Sequence, residues 1–382
     1  MSWYHLIKNW NAFVASDGPM PHNPYPHLTF LFAAREITPI LEKPVASVRE
    51  SCRLCGVDDY DIKVVAVRDG VLGGAEHVIV PVGYKCLSRF KARQLHYALG
   101  FISDSPNVWI LHLDEDAKVT SQTVRSVLKY IKDGGKPVAN GPSFFPYDGG
   151  LLPFYTEAHR HWTFYWLKDQ MDTSAVHWMN GSNMLVRSDI EHAIGWSFKN
   201  LEYSEDTRFA YEASKRFGDV FGWHGGVTIE KPPKDVMAVI RQRKRWFWGG
   251  LVQLRHASGK GWPRRLYSSL SWLLGFVLTA LLLLGLLPFV HVPLVTLPFA
   301  TVLGVPVVGI LWLARYQLAL YQNLKYTTCS NGRRVLHHLW LALLTPVVEL
   351  ICTVSVVLAV VWPPRGFYVT EKRGEEGCSQ TC

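Results

Sequence analysis

Charged residues are scarce in this chain: Asp, Glu, Lys and Arg make up 19% of its 382 residues, whereas 48% are hydrophobic. Soluble domains carry roughly 25% charged residues, and disordered chains have a smaller share of apolar residues than this chain has. The composition therefore excludes a disordered chain, and the absence of an internal repeat excludes a fibrous one. Beyond Arg265 long stretches have almost no charge. We expect a globular domain joined to a membrane domain.

Cysteine is also sparse, and its spacing does not form a metal-binding pattern. Cys52 and Cys55 form one C-x-x-C among seven cysteines, with no second pair at zinc spacing. Reduced thiols in a domain that faces the cytosol are the expectation. The first residues also lack an uninterrupted apolar run, so we expect no cleaved signal peptide.

The net charge of +9 is compatible with a nucleic acid, a phosphate-bearing ligand or an anionic membrane surface as partner. The basic residues cluster at 241–245 and at 260–265, directly before the first apolar stretch. No zinc-finger spacing or RNA-binding aromatic signature accompanies them. The charge therefore favours a membrane and a phosphorylated small molecule, and we expect no nucleic-acid partner.

Residues 28–131 alternate between short buried-type strands and helical patterns. The strands are expected at 28–34, 62–69, 78–82 and 108–113, and the helices at 39–55, 90–99 and 119–131. This order predicts an α/β domain with an open, mostly parallel sheet, whose ligands bind at the carboxyl ends of the strands. The later segment 151–179 is rich in aromatic residues and histidine, and we interpret it as an amphipathic helix rather than a metal site.

Three apolar stretches, at about 267–290, 293–314 and 338–362, each have the roughly 20 residues that cross a membrane. The loop between the second and third is basic, which places it and the preceding domain in the cytoplasm by the positive-inside rule. The chain is therefore expected to be a multi-pass integral membrane protein. Its predicted parts are a leader at 1–26, a catalytic domain at 27–260 and a membrane domain at 261–382.

Asp114 and Asp116 follow the buried strand at 108–113. Because successive strand side chains alternate, we expect both carboxylates on the same face. Two carboxylates at such a strand end can hold a divalent cation that bridges phosphates. The Asp-x-Asp pattern is weak alone, because Asp59-Tyr-Asp61 also matches it in an expected turn, where exposure to solvent explains the acids.

Glu205 and Asp206 open a helical run. An acid pair at a helix start is commonly a cap that interacts with the helix dipole. The functional alternative is a general base, since one carboxylate raises the pKa of another beside it.

Gln242, Arg245 and Trp246 are spaced i, i+3 and i+4, which is one face of a helix. Arginine offers a planar fork to diphosphate oxygens, and tryptophan offers a flat platform for a sugar ring. A juxtamembrane basic patch that binds anionic lipid is the alternative, but it does not account for Gln242 and Trp246.

The ordered set Asp69, 114–116, 205–206 and 242–246 resembles the inverting family 2 glycosyltransferases, which include cellulose, chitin and hyaluronan synthases. Within that family, residues 109–115, Gly181-Ser182, 205–206 and 242–246 resemble egghead-type β-1,4-mannosyltransferases. The resemblance covers roughly residues 27–260, and residue 116 is Asp where that subgroup tends to have Glu. It implies a GT-A type nucleotide-sugar-binding domain followed by transmembrane helices.

The same resemblance implies which residues bind the donor. Glu36 and Asp69 would lie near the nucleoside, Lys91 would reach the diphosphate, and Asp114 would contact the ribose or the metal. Arg245 would stabilise the leaving diphosphate. Arg35, beside Glu36, is an alternative ionic partner for that side chain.

For catalysis, the resemblance implies Asp206 as the base with Glu205 beside it, and Asp114 and Asp116 as ligands of Mn²⁺ or Mg²⁺. The acceptor would be bound by the residues Gly181, Ser182, Gln242 and Trp246.

The expected reaction moves a sugar from GDP-mannose or a UDP-sugar to a lipid-linked or short glycan acceptor, with inversion to a β-linkage. Processive synthesis of a polysaccharide is the alternative enzymatic function, although three membrane helices are few for a polymer channel. A receptor that binds a nucleotide sugar without catalysis is a third hypothesis, and it would not need Asp206.

Overall fold

A computed structural model of the chain describes residues 13–15, 18, 20–21, 24–148, 150–173, 176, 178–256, 266, 270, 299–327, 330–366, 370 and 372. These residues form two compact units. The first unit consists of the described residues within 1–144, 164–231 and 252–265. The second unit consists of the described residues within 145–163, 232–251 and 266–382. The domain limits 27–260 and 261–382 remain predictions.

The first unit contains a seven-stranded sheet and a small three-stranded sheet. The strands are β1 His27–Ala33, β2 Tyr60–Ala66, β3 Glu76–Ile79, β4 Val108–Asp114, β5 Lys118–Val119, β6 Val138–Asn140, β7 Ser143–Phe144, β8 Met184–Arg187, β9 Phe221–Trp223 and β10 Thr228–Ile229. The large sheet has the order β3-β2-β1-β4-β8-β6-β9, and the small one the order β5-β10-β7. In the large sheet only β8 runs antiparallel to its neighbours. The predicted mixed α/β fold with a mostly parallel sheet is therefore confirmed.

Ten α-helices are present in the described part of the chain. They are α1 Glu42–Cys55, α2 Phe90–Ala98, α3 Ser121–Lys132, α4 Leu151–Ala158, α5 Arg160–Asp172, α6 Ser188–Ile194, α7 Glu205–Phe217, α8 Val236–Gln253, α9 Phe299–Thr327 and α10 Asn331–Val361. Local sequence accounts for several ends. The Thr120 side chain accepts a hydrogen bond from the Thr123 N–H and caps α3, while Gly56 ends α1 with a left-handed φ of 62°.

The large sheet is buried on both faces, as expected for parallel strands with continuous apolar runs. Phe30 and Phe32 of β1 pack against α1 and α3 on one face. Leu31 points to the other face, where its core contains residues of α2, α6 and α7. Burial on both faces leaves the strand ends as the part of this sheet open to a ligand.

The second unit is built mainly from long apolar helices. Tyr316 and Leu320 of α9 pack with Leu341 and Val348 of α10 and with Phe154 of α4. An 18-residue window of α10 has a mean hydropathy of 2.3, and within the described residues α10 is the helix long and apolar enough to cross a membrane. It contains most of the predicted stretch at 338–362. The stretch at 267–290 lies outside the described residues except for residue 270, and the one at 293–314 is described only from residue 299, in α9.

The aromatic segment after residue 150 forms two helices, α4 and α5, rather than one. The His159 ring stacks on Tyr316 with centroids 4.0 Å apart, and Nε2 of His161 lies 3.0 Å from Oδ1 of Asn323. Burial lowers the pKa of His161 to about 3, so this imidazole is neutral at physiological pH. These two histidines are packing residues of the second unit.

Candidate active site

The carboxyl ends of three parallel strands meet at one edge of the large sheet. β1 lies between β2 and β4, and its last residue, Ala33, pairs with Val65 on one side and Asp114 on the other. Glu36 follows β1, and Asp69 follows β2. Ligands of open α/β sheets bind outside these ends. This edge is therefore the candidate donor site of the first unit.

Glu36 and Asp69 lie near this edge with partly exposed side chains. The carboxylate of Glu36 is 3.6 Å from the Arg68 guanidinium, and the two residues also form a backbone bridge. Glu36 thus pairs with Arg68 rather than with the adjacent Arg35. Oδ1 of Asp69 lies 3.2 Å from Nδ1 of His77. The structure gives these two carboxylates separate partners and does not join them in one cluster.

Asp114 and Asp116 occupy different environments. β4 ends at Asp114, and a turn follows, in which the Ala117 N–H donates to the Asp114 carbonyl at 3.0 Å. Strand alternation therefore does not extend to residue 116 and does not predict on which face the Asp116 carboxylate lies. Asp116 is 5% exposed and accepts a hydrogen bond from the Lys231 N–H at 2.8 Å, whereas the Asp114 side chain is 45% exposed.

Lys91 links the end of β4 to the start of α7. Its ammonium lies 2.6 Å from Oδ1 of Asp114 and 4.0 Å from Oε1 of Glu205, and it donates to the Gly181 carbonyl at 3.3 Å. Burial opposes the charge of Lys91, but the neighbouring carboxylates outweigh burial and raise its pKa above the usual value. Lys91 is therefore a fixed cation at the sheet edge and can bind phosphate oxygens.

Asp206, the second residue of α7, lies beside the backbone of Gly181. A Cβ on Gly181 would be 3.3 Å from Oδ2 of Asp206 and 3.6 Å from Nζ of Lys91, so glycine leaves room next to the carboxylate. Burial and the charge of Glu205 raise the pKa of Asp206 to about 7, although the Thr207 N–H and Lys91 oppose the shift. A carboxylate that titrates near neutral pH is suited to proton abstraction from a hydroxyl.

The turn that carries Ser182 is held by amide side chains that sequence reasoning missed. Nδ2 of Asn140 donates to the carbonyl oxygens of Asn180 and Asn183 at 2.9 and 3.1 Å. Asn183 has a left-handed φ of 54°, a conformation that asparagine tolerates. The Ser182 hydroxyl accepts a hydrogen bond from the Asp114 N–H at 3.3 Å. The asparagines around Gly-Ser were the available sequence signal for this turn.

The carboxylates of Asp114 and Asp116 suit a hard divalent cation that is shared with a phosphate-bearing ligand. Within the described residues, no group of three or more His, Cys, Asp or Glu side chains could hold a metal alone. Mg²⁺ is commonly bound by one or two carboxylates together with substrate phosphates and water. Asp114, the last residue of β4, and Asp116, in the turn that follows, fit this mode of binding rather than an all-protein metal cage.

In the second unit, the predicted residues Gln242, Arg245 and Trp246 lie on α8, with the helical spacing expected from the sequence. Gln242 is 5% exposed, and its Oε1 has no hydrogen-bond partner among the described residues. Arg245 and Trp246 are half-buried. The Gln242 oxygen can accept a hydrogen bond from a ligand hydroxyl.

Arg243, between these residues, has a structural role that the sequence did not indicate. Its guanidinium donates to Oε1 of Glu157 at 2.8 Å and lies 4.4 Å from the centroid of the Trp246 ring. Arg160 also pairs with Glu157, at 2.9 Å, and lies 4.9 Å from the same centroid. Burial would raise the pKa of Glu157, but the guanidinium charges outweigh it and hold that pKa below its usual value. Glu157 thereby fixes two cations against Trp246.

Removing the charge of Glu157 is expected to destabilise the protein strongly. Glu157→Gln leaves Arg243 and Arg160 without their shared counter-ion in a buried site, which typically costs about 3–5 kcal/mol. Thermal unfolding should show a clearly lower Tm. Glu50→Gln, which removes an exposed ion pair with Arg53, is the matched control and should leave the Tm unchanged. Equal Tm values for both variants would show that the buried pair does not stabilise the fold.

The rate of any reaction that uses Asp206 as a base should depend on pH near neutrality. The base must be deprotonated, and its pKa is about 7, so kcat/KM should rise through pH 7 and fall tenfold per unit well below it. Lys91 keeps its charge over this range, because its pKa lies above the usual value. A profile that is flat from pH 5.5 to 8.5 would contradict the base assignment.

A lysine–carboxylate cluster at the carboxyl edge of an open α/β sheet is suited to binding a phosphorylated ligand. The sequence pattern of the family described as "Glycosyl transferase family group 2" matches residues 109–363. The match covers 255 of the 382 residues, and the chain belongs to this family. The resemblance drawn from the ordered motifs is confirmed.

Mannosyltransferases are among the relatives with detectable sequence similarity. The β-1,4-mannosyltransferase egh of Drosophila melanogaster is 27% identical over 231 residues, which are 53% of this chain and 47% of egh. The β-1,4-mannosyltransferase bre-3 of Caenorhabditis elegans is 27% identical over 255 residues, 61% of this chain and 54% of bre-3. The chain thus spans about half the length of these relatives.

A solved structure with the same fold is the mannosyltransferase PcManGT from Pyrobaculum calidifontis, in complex with GDP-Man and Mn²⁺. The TM-score is 0.52 at 14% identity, and the match covers 94% of this chain and 95% of PcManGT. The similarity supports a GT-A type fold.

Proposed function

We propose that the chain is a membrane-anchored, inverting hexosyltransferase. It would move a sugar from a nucleoside-diphospho-sugar to a hydroxyl of a lipid-linked or short glycan acceptor. The observation that carries the proposal is Asp206, a carboxylate with a pKa of about 7 beside Lys91 and Asp114 at the ligand-binding edge of the sheet.

The proposed reaction is a single displacement at the anomeric carbon. Asp206 accepts the proton of the acceptor hydroxyl, and the acceptor oxygen forms a bond to the anomeric carbon. The bond from that carbon to the diphosphate oxygen breaks, and the nucleoside diphosphate leaves with the electron pair. One displacement inverts the centre, so an α-linked donor gives a β-linked product.

Two cations of the chain are proposed to neutralise the departing diphosphate. The Lys91 ammonium is already fixed at the sheet edge by Asp114 and Glu205. Arg245 would supply a planar guanidinium, with Gln242 and Trp246 binding the acceptor. A Mn²⁺ or Mg²⁺ ion on Asp114 and Asp116 would add Lewis-acid stabilisation of the same oxygens. The Glu36 and Asp69 side chains would contact the nucleoside, and Gly181 and Ser182 would line the acceptor path.

GDP-mannose is the proposed donor, with a UDP-sugar as the second choice. The relatives egh and bre-3 are named β-1,4-mannosyltransferases, and PcManGT was solved with GDP-Man and Mn²⁺. These names support mannose as the transferred sugar. Pocket shape, rather than motif, decides among bases and sugars, so the donor needs a direct test.

We further propose that the protein is multi-pass, with spans at about 267–290, 293–314 and 338–362 and the catalytic residues in the cytoplasm. The length and apolar surface of α10 support the last span. Its exposed side includes the apolar residues Leu339, Leu343, Val347, Leu350, Val354, Val357 and Val361. These side chains recur every three or four residues and form one stripe, which is suited to contact with lipid.

A donor panel tests the proposal. The full-length chain in membranes would be incubated with GDP- and UDP-sugars, Mn²⁺ or Mg²⁺, and a lipid-linked acceptor, and nucleoside diphosphate release would be measured. We expect release from GDP-mannose that depends on acceptor, and a product extended by one sugar. Long polymer ladders would support a processive synthase instead. Binding of a donor without release under any condition would support the non-catalytic receptor.

A further inference from the structure

Two segments that enter the candidate active site have unusual backbone conformations at equivalent points. Phe90, directly before Lys91, has a φ of 53°, and Ser204, directly before Glu205, has a φ of 58°. This left-handed conformation costs free energy in residues other than glycine, above all in a bulky one. It persists only where surrounding contacts enforce it. Contacts with the rest of the first unit must therefore hold Phe90 and Ser204 in this conformation.

The first such contact joins Phe90, the first residue of α2, to Tyr203, which lies two residues before α7. The rings of Phe90 and Tyr203 stack with centroids 6.3 Å apart and an interplanar angle of 26°. Tyr203 is 6% exposed, so the ring pair is shielded from solvent on that side. One residue earlier, the Arg89 N–H donates to the Leu201 carbonyl at 2.9 Å.

Hydrogen bonds continue the connection away from the active site. The Ser88 hydroxyl, which is 1% exposed, donates to the Trp196 carbonyl at 2.6 Å and accepts from the Phe198 N–H at 2.7 Å. The Leu87 N–H donates to Oγ of Ser197 at 3.2 Å. The hydrogen bonds of Ser88 are buried and therefore costly to break, so they keep the two segments in one arrangement.

We name the contacts between residues 87–90 and 196–203 the clasp. We propose that the clasp is a positioning device, which holds the Lys91 ammonium against the carboxylates around Asp206. The inference rests on the proposed function, in which Asp206 is the base. None of the clasp side chains needs to touch the substrate for this role.

The clasp should affect the proton affinity of the base, because Lys91 enters the site from α2 and Asp206 enters from α7. The charged groups that face Asp206 are Glu205 on its own helix, Asp114 at the end of β4, and Lys91. Burial and the two carboxylates raise the pKa of Asp206, whereas the Thr207 N–H and the Lys91 charge lower it. Any loosening that moves Lys91 away should raise that pKa further.

The test compares two substitutions of Tyr203. Tyr203→Leu removes the stacking, and Tyr203→Phe retains it. For Tyr203→Leu we expect the acid limb of the kcat/KM profile to move up by about half a pH unit or more. Transfer at pH 7 should fall about fivefold, because loss of positioning reduces reaction rates. Tyr203→Phe should keep the wild-type acid limb of the kcat/KM profile and the wild-type rate of transfer at pH 7.

Phe101→Leu is the matched control, at a ring three residues beyond the end of α2. It removes a ring contact with Tyr97, at 5.2 Å, at the far end of α2. We expect the pH profile of this variant to equal that of the wild type. If Tyr203→Leu does not fold, Phe90→Leu removes the opposite ring of the stack and is scored in the same way.

The outcomes separate the clasp from the proposed function. Normal sugar transfer by Asp206→Asn would overturn the proposed function. A wild-type kcat/KM that does not fall at low pH would overturn it as well. If the wild type has the limb and Asp206→Asn is inactive, an unmoved limb in Tyr203→Leu would overturn only the clasp. A uniform loss of rate at every pH, without a shift, would indicate a merely structural role and would also overturn the clasp.

Discussion

Asp206→Asn is expected to reduce transfer by about 10³-fold while donor binding stays nearly unchanged. Asparagine keeps the size and polarity of the side chain but cannot accept the acceptor proton. The donor-side contacts of Lys91 and Asp114 are retained, so the dissociation constant of the donor should change little. The measurement is kcat for transfer, paired with a binding isotherm for the nucleoside diphosphate.

The same substitution should also increase stability at alkaline pH. The folded-state pKa of Asp206, about 7, lies above the unfolded value of about 3.9, so its stability contribution is full below pH 4 and is lost as the pH rises through 7. Asparagine removes this cost, and the Tm at pH 8 should exceed that of the wild type. Asp219→Asn is the control, since Asp219 forms an exposed ion pair with Lys136. Normal turnover by Asp206→Asn would refute its role as the base.

Asp116→Asn should have the second largest effect, a loss of about 10²- to 10³-fold in metal-supported transfer. The neutral amide is a weaker ligand for a hard cation than the carboxylate. A titration of donor binding with Mn²⁺ gives a readout independent of turnover. We expect Mn²⁺ to tighten donor binding to the wild type and to have little effect on the variant.

Asp116 also accepts the Lys231 N–H, so the folded state of the variant must be checked by its Tm. Asp61→Asn provides a control in the other Asp-x-Asp of the chain, at residues 59–61, where the carboxylate lies near His27. It should retain both transfer and the Mn²⁺ effect. An Asp116→Asn variant that keeps full Mn²⁺ dependence would show that the metal binds elsewhere.

The elements that carry the site could be predicted where local pattern and packing agree. The apolar run before Asp114 is buried on both faces, and β4 ends at Asp114 as that run suggests. The helix expected at 90–99 is present as Phe90–Ala98. The acid pair at 205–206 lies in the first turn of α7. In each case, the short-range sequence pattern predicts where the element lies.

Contacts between distant segments could not be predicted in this way. The Lys91 ammonium meets carboxylates that lie 23 and 114 positions later in the chain, Asp114 and Glu205. Sequence identifies these residues by type, but only the pairing of β1 with β4 and the packing of α2 and α7 bring them together. Strand alternation does not reach Asp116 because residues 114–117 form a turn, in which the Ala117 N–H donates to the Asp114 carbonyl.

The burial of Arg243 could not be predicted either. It is one of four basic residues in 241–245 that the sequence does not distinguish from one another, yet it is 4% exposed and bonded to Glu157. The partner lies 86 positions away, in a segment interpreted only as amphipathic. Burial of a charge becomes visible only when the element that supplies its counter-ion is placed beside it.

The anomeric configuration of the product tests the central claim most directly, namely a single displacement with Asp206 as the base. The full-length chain would be supplied with an α-linked nucleoside-diphospho-sugar and an acceptor, and the isolated product would be analysed by NMR. A β-linked sugar is the predicted product. An α-linked sugar would contradict the mechanism, because one in-line displacement cannot retain the configuration of the donor.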